Sequence, residues 1–383
     1  MRLRVRDDDL RFTGEREFRR ADLVLRWNKP ATATLELPAN QAESLVRGCG
    51  VVLDNAGEII LSGQVVERRR DDTPDDDVVE LTVRSDLALL EGRLAYPDYE
   101  EDADGDQPKR MDRSGPAGEV LAEMVERHAG TDALSDRQID GLTVADASGV
   151  GETVRARRRF PVVAEEVERL GRKGKVVCDL KQVAGQQELE FTVVDQADRT
   201  RSVVFSRSRG TLVDVEAETT MPGATVAIVA GPGEGADRLI VEREDSDAVA
   251  EWGRIEAWVD ARNDADEDDP EDDQVDDLEA AGDDALDQKA AEERIALEVV
   301  ESESARWRAD WDVGDLVTVE IGGERLSKTI EEVEVEVLAG DGPDGGPAVI
   351  ARPVLGRGSP RRRLRVLERV GEVERRQDRR DRD

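Results

Sequence analysis

The sequence predicts a mainly β, α+β protein in which two β-rich regions flank an α+β module. Residues 32–37 alternate apolar and polar side chains, as a strand with one buried face does. Residues 112–195 place apolar side chains at helical spacing and end in two strand-like runs. Strand-like patterns return from about residue 200, interrupted by an acidic stretch with helical character. The order is therefore a β-region, a mixed module and a second β-region with an insertion.

The first region, residues 1–95, is predicted to be a small sheet or barrel of antiparallel hairpins. Ala33, Leu35 and Leu37 would face its core. The turn Asp54–Gly57 separates the apolar runs 51–53 and 59–66, which is typical of a hairpin. No catalytic motif lies in this region.

The module, residues 96–200, is predicted to begin with a helix that Ser114 caps, with Pro116 in the first turn, and that Gly130 ends. The apolar face of this helix consists of Ala117, Val120, Leu121, Met124, Val125 and His128. A second helix is predicted from about 161 to 170, with Gly171 after it. The strands 176–180 and 189–194 follow.

The second β-region, residues 201–356, is predicted to contain an insertion at about 246–303. The predicted strands before it are 202–205, 211–215, 224–230 and 239–242. Within the insertion, the acidic stretch 260–287 predicts a flexible or weakly ordered loop. A helix is then predicted at about 284–301, because Ala291, Ile295 and Val299 would share one face.

The end of the chain combines a predicted hairpin with a basic tail. The hairpin consists of 311–321 and 330–337 around Gly322 and Gly323. Residues 357–383 carry eleven arginines against six acidic residues. Two interpretations of this tail remain, a solvated terminus of mixed charge or a segment that binds an acidic neighbour.

The net charge of −35 argues against a nucleic-acid-binding or anionic-membrane-binding protein, because an acidic surface repels phosphate. Adaptation to high salt and a dedicated acidic ligand or metal site could each explain this charge. We favour salt adaptation, since the acidic residues occur in every segment and only seven residues are lysine. No apolar run is long enough to span a membrane, and the N-terminus lacks the apolar core of a signal peptide. We therefore expect a soluble protein that no ordinary signal exports.

The candidate sites all have a simpler structural interpretation, so we predict no catalytic, cofactor-binding or metal-binding residues and no cofactor. His128 would pack on a helix face. The segment Gly231–Gly235 is expected to be a hairpin turn rather than a phosphate loop, because a strand follows it. The acidic run Glu100–Asp106 lacks the closing glutamate of a calcium loop. Cys49 and Cys178 are expected to be buried thiols, with a disulfide as the alternative.

The acidic residues and the tryptophans offer two further candidate sites. A pair of carboxylates for glycoside hydrolysis could be hidden among 90 acidic residues, but no aromatic-rich groove accompanies them. The tryptophans are expected in the core or in interfaces, at positions Trp27, Trp252, Trp258, Trp307 and Trp311.

Several segments, in a consistent order between about residues 22 and 340, resemble the Gp37-like proteins of tailed siphoviruses. They are Trp27–Pro38, Asp86–Leu90, Arg93–Pro97, Ser114–Leu121, Arg157–Phe160, Val226–Arg238, Arg254–Arg262 and Trp311–Val319. The resemblance implies a baseplate hub or tail-associated protein with two barrel-like domains and an α+β module between them. Three copies would form a ring with pseudo-sixfold symmetry that matches the hexameric tail tube. The excess of acidic residues departs from the family and suggests a virus of a halophilic host, such as a haloarchaeon.

The resemblance implies a structural virion protein at the tail tip, not an enzyme. The implied hub closes the tail tube, anchors receptor-binding or fibre proteins and opens for genome passage. The implied partners are two further copies of the chain, distal tail or tail-tube ring proteins and the tape measure protein, without sequence-specific nucleic-acid binding. The competing hypotheses are an envelope-degrading glycan hydrolase that uses two carboxylates and an adhesin that binds the host surface.

Overall fold

A computed structural model describes residues 1–55, 57–73, 76–97, 111–158, 160–233, 235, 238–262, 265, 271–300, 302, 305–340 and 348–356. The strands are β1 (Arg2–Arg6), β2 (Phe12–Arg16), β3 (Arg20–Arg26), β4 (Lys29–Pro38), β5 (Gly50–Asn55), β6 (Glu58–Thr73), β7 (Asp76–Ser85), β8 (Arg113–Pro116), β9 (Leu142–Val144), β10 (Thr153–Ala156), β11 (Val176–Gln182), β12 (Leu189–Asp195), β13 (Val204–Phe205), β14 (Leu212–Thr220), β15 (Val226–Ala230), β16 (Ile240–Glu244), β17 (Glu256–Asp260), β18 (Glu292–Val299), β19 (Leu316–Ile321), β20 (Glu324–Leu338) and β21 (Ala348–Leu355). The helices are α1 (Ala117–Ala129), α2 (Val163–Lys173), α3 (Ser246–Trp252) and α4 (Glu271–Lys289), with 3₁₀ turns at Ala39–Gln41 and Asp86–Gly92. The predicted mainly β, α+β fold class is confirmed.

A sheet of 13 strands contains both predicted β-regions. Its main path runs β14-β18-β21-β20-β3-β4-β7-β6-β5-β1-β2, and β19 joins it through β20 and pairs with β13. Antiparallel pairing of β3 with β20 connects the N-terminal strands to the C-terminal ones. The prediction of two barrel-like domains therefore needs a correction. Among the residues that the structure describes, the strands do not close into barrels, and one sheet runs through both regions.

A single hydrophobic core lies beneath this sheet, and strands from both β-regions contribute side chains to it. Leu23, Leu35 and Leu81 from the N-terminal strands pack into the same cluster as Val333 and Val335. The alternation that predicted β4 is borne out, since Ala33, Leu35 and Leu37 are fully buried. The period-2 pattern places these side chains on the covered face.

The module has its own core between α1, α2 and the sheet β11-β12-β9. Ser114 does not cap α1 as predicted: it lies in β8, which pairs with β10, and Pro116 occupies the N-cap position. Helix α2 continues past Gly171 to Lys173. Gly171 lies inside this helix and leaves room for the Asn28 side chain, since an added Cβ would lie 2.4 Å from Nδ2.

The elements from β15 to α4, within residues 222–289, form a third unit in which α4 covers one face of the sheet β16-β15-β17. This unit is called the insertion from here on; compared with the predicted bounds 246–303, it also contains β15 and β16 and excludes β18. Two predictions here were wrong. Residues 271–287 of the predicted acidic loop belong to α4, because Leu278 and Leu286 bury against the sheet. The predicted helix at 284–301 is instead divided between the end of α4 and β18, in which Ile295 and Leu297 enter the large core at a spacing of two. The residues Ile295 and Val299 share one face of a strand as well as of a helix, so their spacing could not distinguish the two.

Candidate functional site

A charged cleft of about 610 Å³ lies where α2, α4 and the large sheet meet. Seven basic and seven acidic side chains line it, together with Gln288, Val354 and Gly356. The basic residues lie on α2, on strands of the large sheet and on the segment before α2. The acidic residues lie on α2, α4 and the large sheet. Because the charges balance within the cleft, the local field favours pairing between the units rather than capture of a free ion.

Asp284 is the centre of the ion pairs in this cleft. It is 6% exposed and faces three cations. Its carboxylate accepts from Arg158 Nη2 at 2.9 Å, Arg169 Nη1 at 3.0 Å and Lys173 Nζ at 2.8 Å. Burial by itself would raise the pKa of Asp284, but Arg169 and Lys173 lower it below the usual value. Asp284 therefore remains ionised and attaches α4 to α2.

Glu166 completes this cluster from α2. It is fully buried, and Arg169 Nη2 lies 2.6 Å from its Oε2. Residues 166, 169 and 173 share one helix face because they are three and four positions apart. Nothing in the periodicity of α2 indicated this pairing, because the partner Asp284 lies more than 100 residues further along the chain.

A second junction attaches the β3–β4 turn to the module. Asn28 has a φ of 55°, a left-handed conformation that Asn tolerates better than most residues. Its Nδ2 donates to the Val176 carbonyl at 2.9 Å, and its Oδ1 accepts from the Cys178 amide at 2.7 Å. Trp27 Nε1 donates to the same Val176 carbonyl at 2.9 Å. Trp27 and Asn28, which begin the first segment of the family resemblance, thus connect the sheet to the module.

A third junction lies at the other end of β11. Asp86, which is 1% exposed, accepts hydrogen bonds from Arg6 and from Ser62 Oγ. Ser62 Oγ in turn accepts from the Gln182 amide at 2.8 Å. Gln182 Nε2 also donates to the Leu10 carbonyl at 2.6 Å. These buried polar groups specify how the module sits on the sheet, since each would be costly to leave unpaired.

The sequence-predicted candidates occupy structural positions. His128 lies on the buried face of α1, 3% exposed, and its Nδ1 is 3.5 Å from the Tyr96 amide. The segment at Gly231 connects antiparallel β15 and β16, so the predicted hairpin turn is confirmed. Cys178 is buried, which raises the pKa of its thiol, and Cys49 is half-buried; neither forms a disulfide. The acidic run Glu100–Asp106 and the tail 357–383 lie outside the described residues.

Asp312 and Asp315 lie in an environment that raises the pKa of both carboxyl groups. Burial raises the pKa of Asp315 to about 6 and also raises that of Asp312. Asp315 Oδ2 accepts from the Asp312 amide at 3.0 Å, and Asp312 Oδ1 accepts from Trp307 Nε1 at 3.1 Å. These bonds hold the turn before β19. The two carboxylates face protein donors, which supports a structural role.

No cluster of three metal-binding side chains occurs within the described ranges. In the same part of the chain, no helix is long and apolar enough to cross a membrane. Four tryptophans are buried or half-buried, whereas Trp258 on β17 is 59% exposed.

Comparison with known proteins identifies the family and the fold. The family model described as "Siphovirus ReqiPepy6 Gp37-like protein" matches residues 2–346. No curated protein matches the sequence. The chain is similar to the prophage MuSo2 43 kDa tail protein from Shewanella oneidensis, with a TM-score of 0.53 and 12% identity over 93% of this chain and 98% of that chain.

A tail protein from Neisseria meningitidis MC58 is similar to the same extent. Its TM-score is 0.53, with 13% identity over 93% of this chain and 96% of that chain. At these identities the likeness establishes a shared fold. Together with the family match over almost the whole length, it settles the classification: the chain belongs to the Siphovirus ReqiPepy6 Gp37-like family.

Proposed function

We propose that this protein is a structural component of a tailed virus particle. Its proposed role is that of a baseplate hub at the tail tip, which closes the tail tube, anchors receptor-binding or fibre proteins and opens for genome passage. The observation that carries the proposal is the family match over residues 2–346. The fold shared with two tail proteins, one of them from a prophage, over 93% of the chain supports it.

The contacts between the β-regions and the module suit a rigid structural protein. One sheet extends through both β-regions, and buried polar junctions attach the module to it. Such junctions cost a great deal to break singly, because each leaves an uncompensated polar group or charge. The arrangement supports a rigid structural protein, in which interfaces rather than catalysis perform the function.

The proposed assembly is a homotrimer. Its partners would be tail-tube or distal tail ring proteins, the tape measure protein and receptor-binding or fibre proteins. The net charge of −35 suits a bore that repels DNA and lets it slide. A ring whose bore proved predominantly basic would contradict this part of the proposal.

The test measures the mass of the assembly in solution and the position of the protein in the virion. Native mass spectrometry and light scattering of the purified protein in high salt are expected to give three copies. Antibody labelling of intact virions is expected at the tail tip. Label along the tube or on the capsid would refute the hub assignment, and a stable monomer would refute the ring.

The enzyme and adhesin hypotheses are tested with the same preparation. Incubation with host surface polymer and with host cells is expected to release no sugar and to show no binding. If sugar is released, Asp312→Asn and Asp315→Asn show whether the pair Asp312 and Asp315 is responsible. Any release of sugar would overturn the purely structural function, and activity retained in both variants would point to other acidic residues.

A further inference from the structure

The insertion has a second sheet face, opposite α4, on which some large apolar side chains are exposed. Helix α4 packs on one face of β16-β15-β17, against Val229, Ala227 and their neighbours. On the other face, Trp258 lies beside Ile228 in the register of β15 and β17. Ile240 lies beside Ala230, the next residue of β15 on that face. Ile228, Ile240 and Trp258 therefore form a contiguous apolar strip.

This strip is exposed to an unusual degree for such large side chains. Trp258 is 59% exposed and Ile240 is 53% exposed, whereas Trp27 and Trp311 are almost fully buried. Arg238 lies over the indole of Trp258 at 5.7 Å but leaves more than half of the side chain open. A tryptophan within a contiguous apolar strip that has a polar rim is typical of an interaction surface.

The rim of the strip is acidic. Glu242, Glu244 and Glu256 flank the strip on the same face. Arg254 pairs with Glu242 and with Glu256. The whole segment 222–289 has 23 acidic and five basic residues, which is about half of the net charge of the chain. The surface thus favours a partner that combines positive charge with apolar side chains.

The C-terminal segment 357–383 has this chemistry. It carries eleven arginines and six acidic residues, interspersed with Leu364, Val366, Leu367, Val370 and Val373. It follows Gly356, which lines the charged cleft beside α4. A segment of 27 residues can span tens of ångströms, at up to about 3.3 Å per residue, so it can reach the far face of the same unit.

We propose that residues 357–383 dock on the exposed face of β16-β15-β17 of the same chain. The apolar side chains of the segment cover Ile228, Ile240 and Trp258, and its arginines face the acidic rim. The docked segment buries the apolar strip and neutralises part of the most acidic unit. This proposal is independent of the function proposed above, since it concerns contacts within one chain.

Limited trypsin digestion of the full-length protein tests the docking. Trypsin cuts after arginine, so an undocked segment is cleaved as fast as the synthetic peptide 357–383. Docking is expected to slow these cuts in the intact protein. Trp258→Thr and Ile240→Thr are expected to accelerate them about tenfold, because cleavage follows the population of the open form. Threonine retains strand propensity, and both sites are exposed, so the fold is preserved.

Val213→Thr is the matched control, since Val213 is 52% exposed on β14, outside the insertion. It is expected to leave the rate of cleavage unchanged. Equal rates for the parent protein, Trp258→Thr and the free peptide would overturn the proposal. Protection that grows with protein concentration would also overturn it, because the segment would then dock on another copy.

Discussion

At the scale of single residues, Asp315 is a clear case of burial that changes acidity. Its folded-state pKa is about 6, whereas an unfolded aspartate titrates near about 3.9. The folded state therefore binds the proton more tightly, and this residue's contribution to stability falls as the pH rises from about 4 to 6. Asp315→Asn removes this loss of stability. The change that the substitution makes in the free energy of unfolding should therefore be more favourable at pH 7 than at pH 4, by up to about 3 kcal/mol.

Urea unfolding at pH 4 and pH 7 measures this difference, and Asp310→Asn is its control. The hydrogen bond from Arg306 lowers the pKa of Asp310, so its contribution is present at pH 7 and lost as the pH falls below about 4. The two variants should shift the pH dependence in opposite directions. A pH-independent effect of Asp315→Asn would show that its carboxylate is not perturbed.

At the scale of elements, the attachment of α4 to α2 depends on one carboxylate. Asp284→Asn leaves Arg158 and Arg169 paired with Glu166 and removes the carboxylate that Lys173 contacts. The loss of one member of a buried ion pair costs about 3–5 kcal/mol. We therefore expect faster hydrogen exchange along α4 in this variant, because the helix separates more often from the module.

Asp283→Asn is the matched control for this prediction. Asp283 is the preceding residue, and its side chain is 48% exposed and paired with Arg243. Such an exposed pair contributes about 0–1 kcal/mol, so exchange in α4 should change little. Equal exchange in the two variants would mean that the apolar contacts of Leu278 and Leu286, together with the ion pair of Asp277 with Arg157, hold α4 without Asp284.

At the scale of the whole molecule, the charge of −35 should make stability depend on salt. Self-repulsion destabilises the compact state, and the Debye length falls from about 10 Å to about 3 Å between 0.1 and 1 M salt. The urea midpoint should therefore rise over this range, equally in NaCl and KCl. A falling midpoint would show that screening of attractive ion pairs outweighs the relief of repulsion.

Local patterns were sufficient for much of the fold. Alternation identified β4, and helical periodicity identified α1 and most of α2, because these elements bury one face against a single core. The same reasoning failed in the insertion. The acidic composition of α4 concealed Leu278 and Leu286, and the spacing of Ile295 and Val299 suited a helix and a strand equally.

The sequence by itself therefore determined the fold class, the family and the absence of any recognisable catalytic motif, since these depend on local pattern and residue type. Only the tertiary structure decided that the two β-regions share one sheet through β3 and β20. It also paired Asp284 with α2 and Asn28 with β11, and it left Trp258 exposed on an acidic face. Each of these features depends on contacts between residues that are far apart in the chain. The local periodicity of the sequence does not indicate which distant segments pack together.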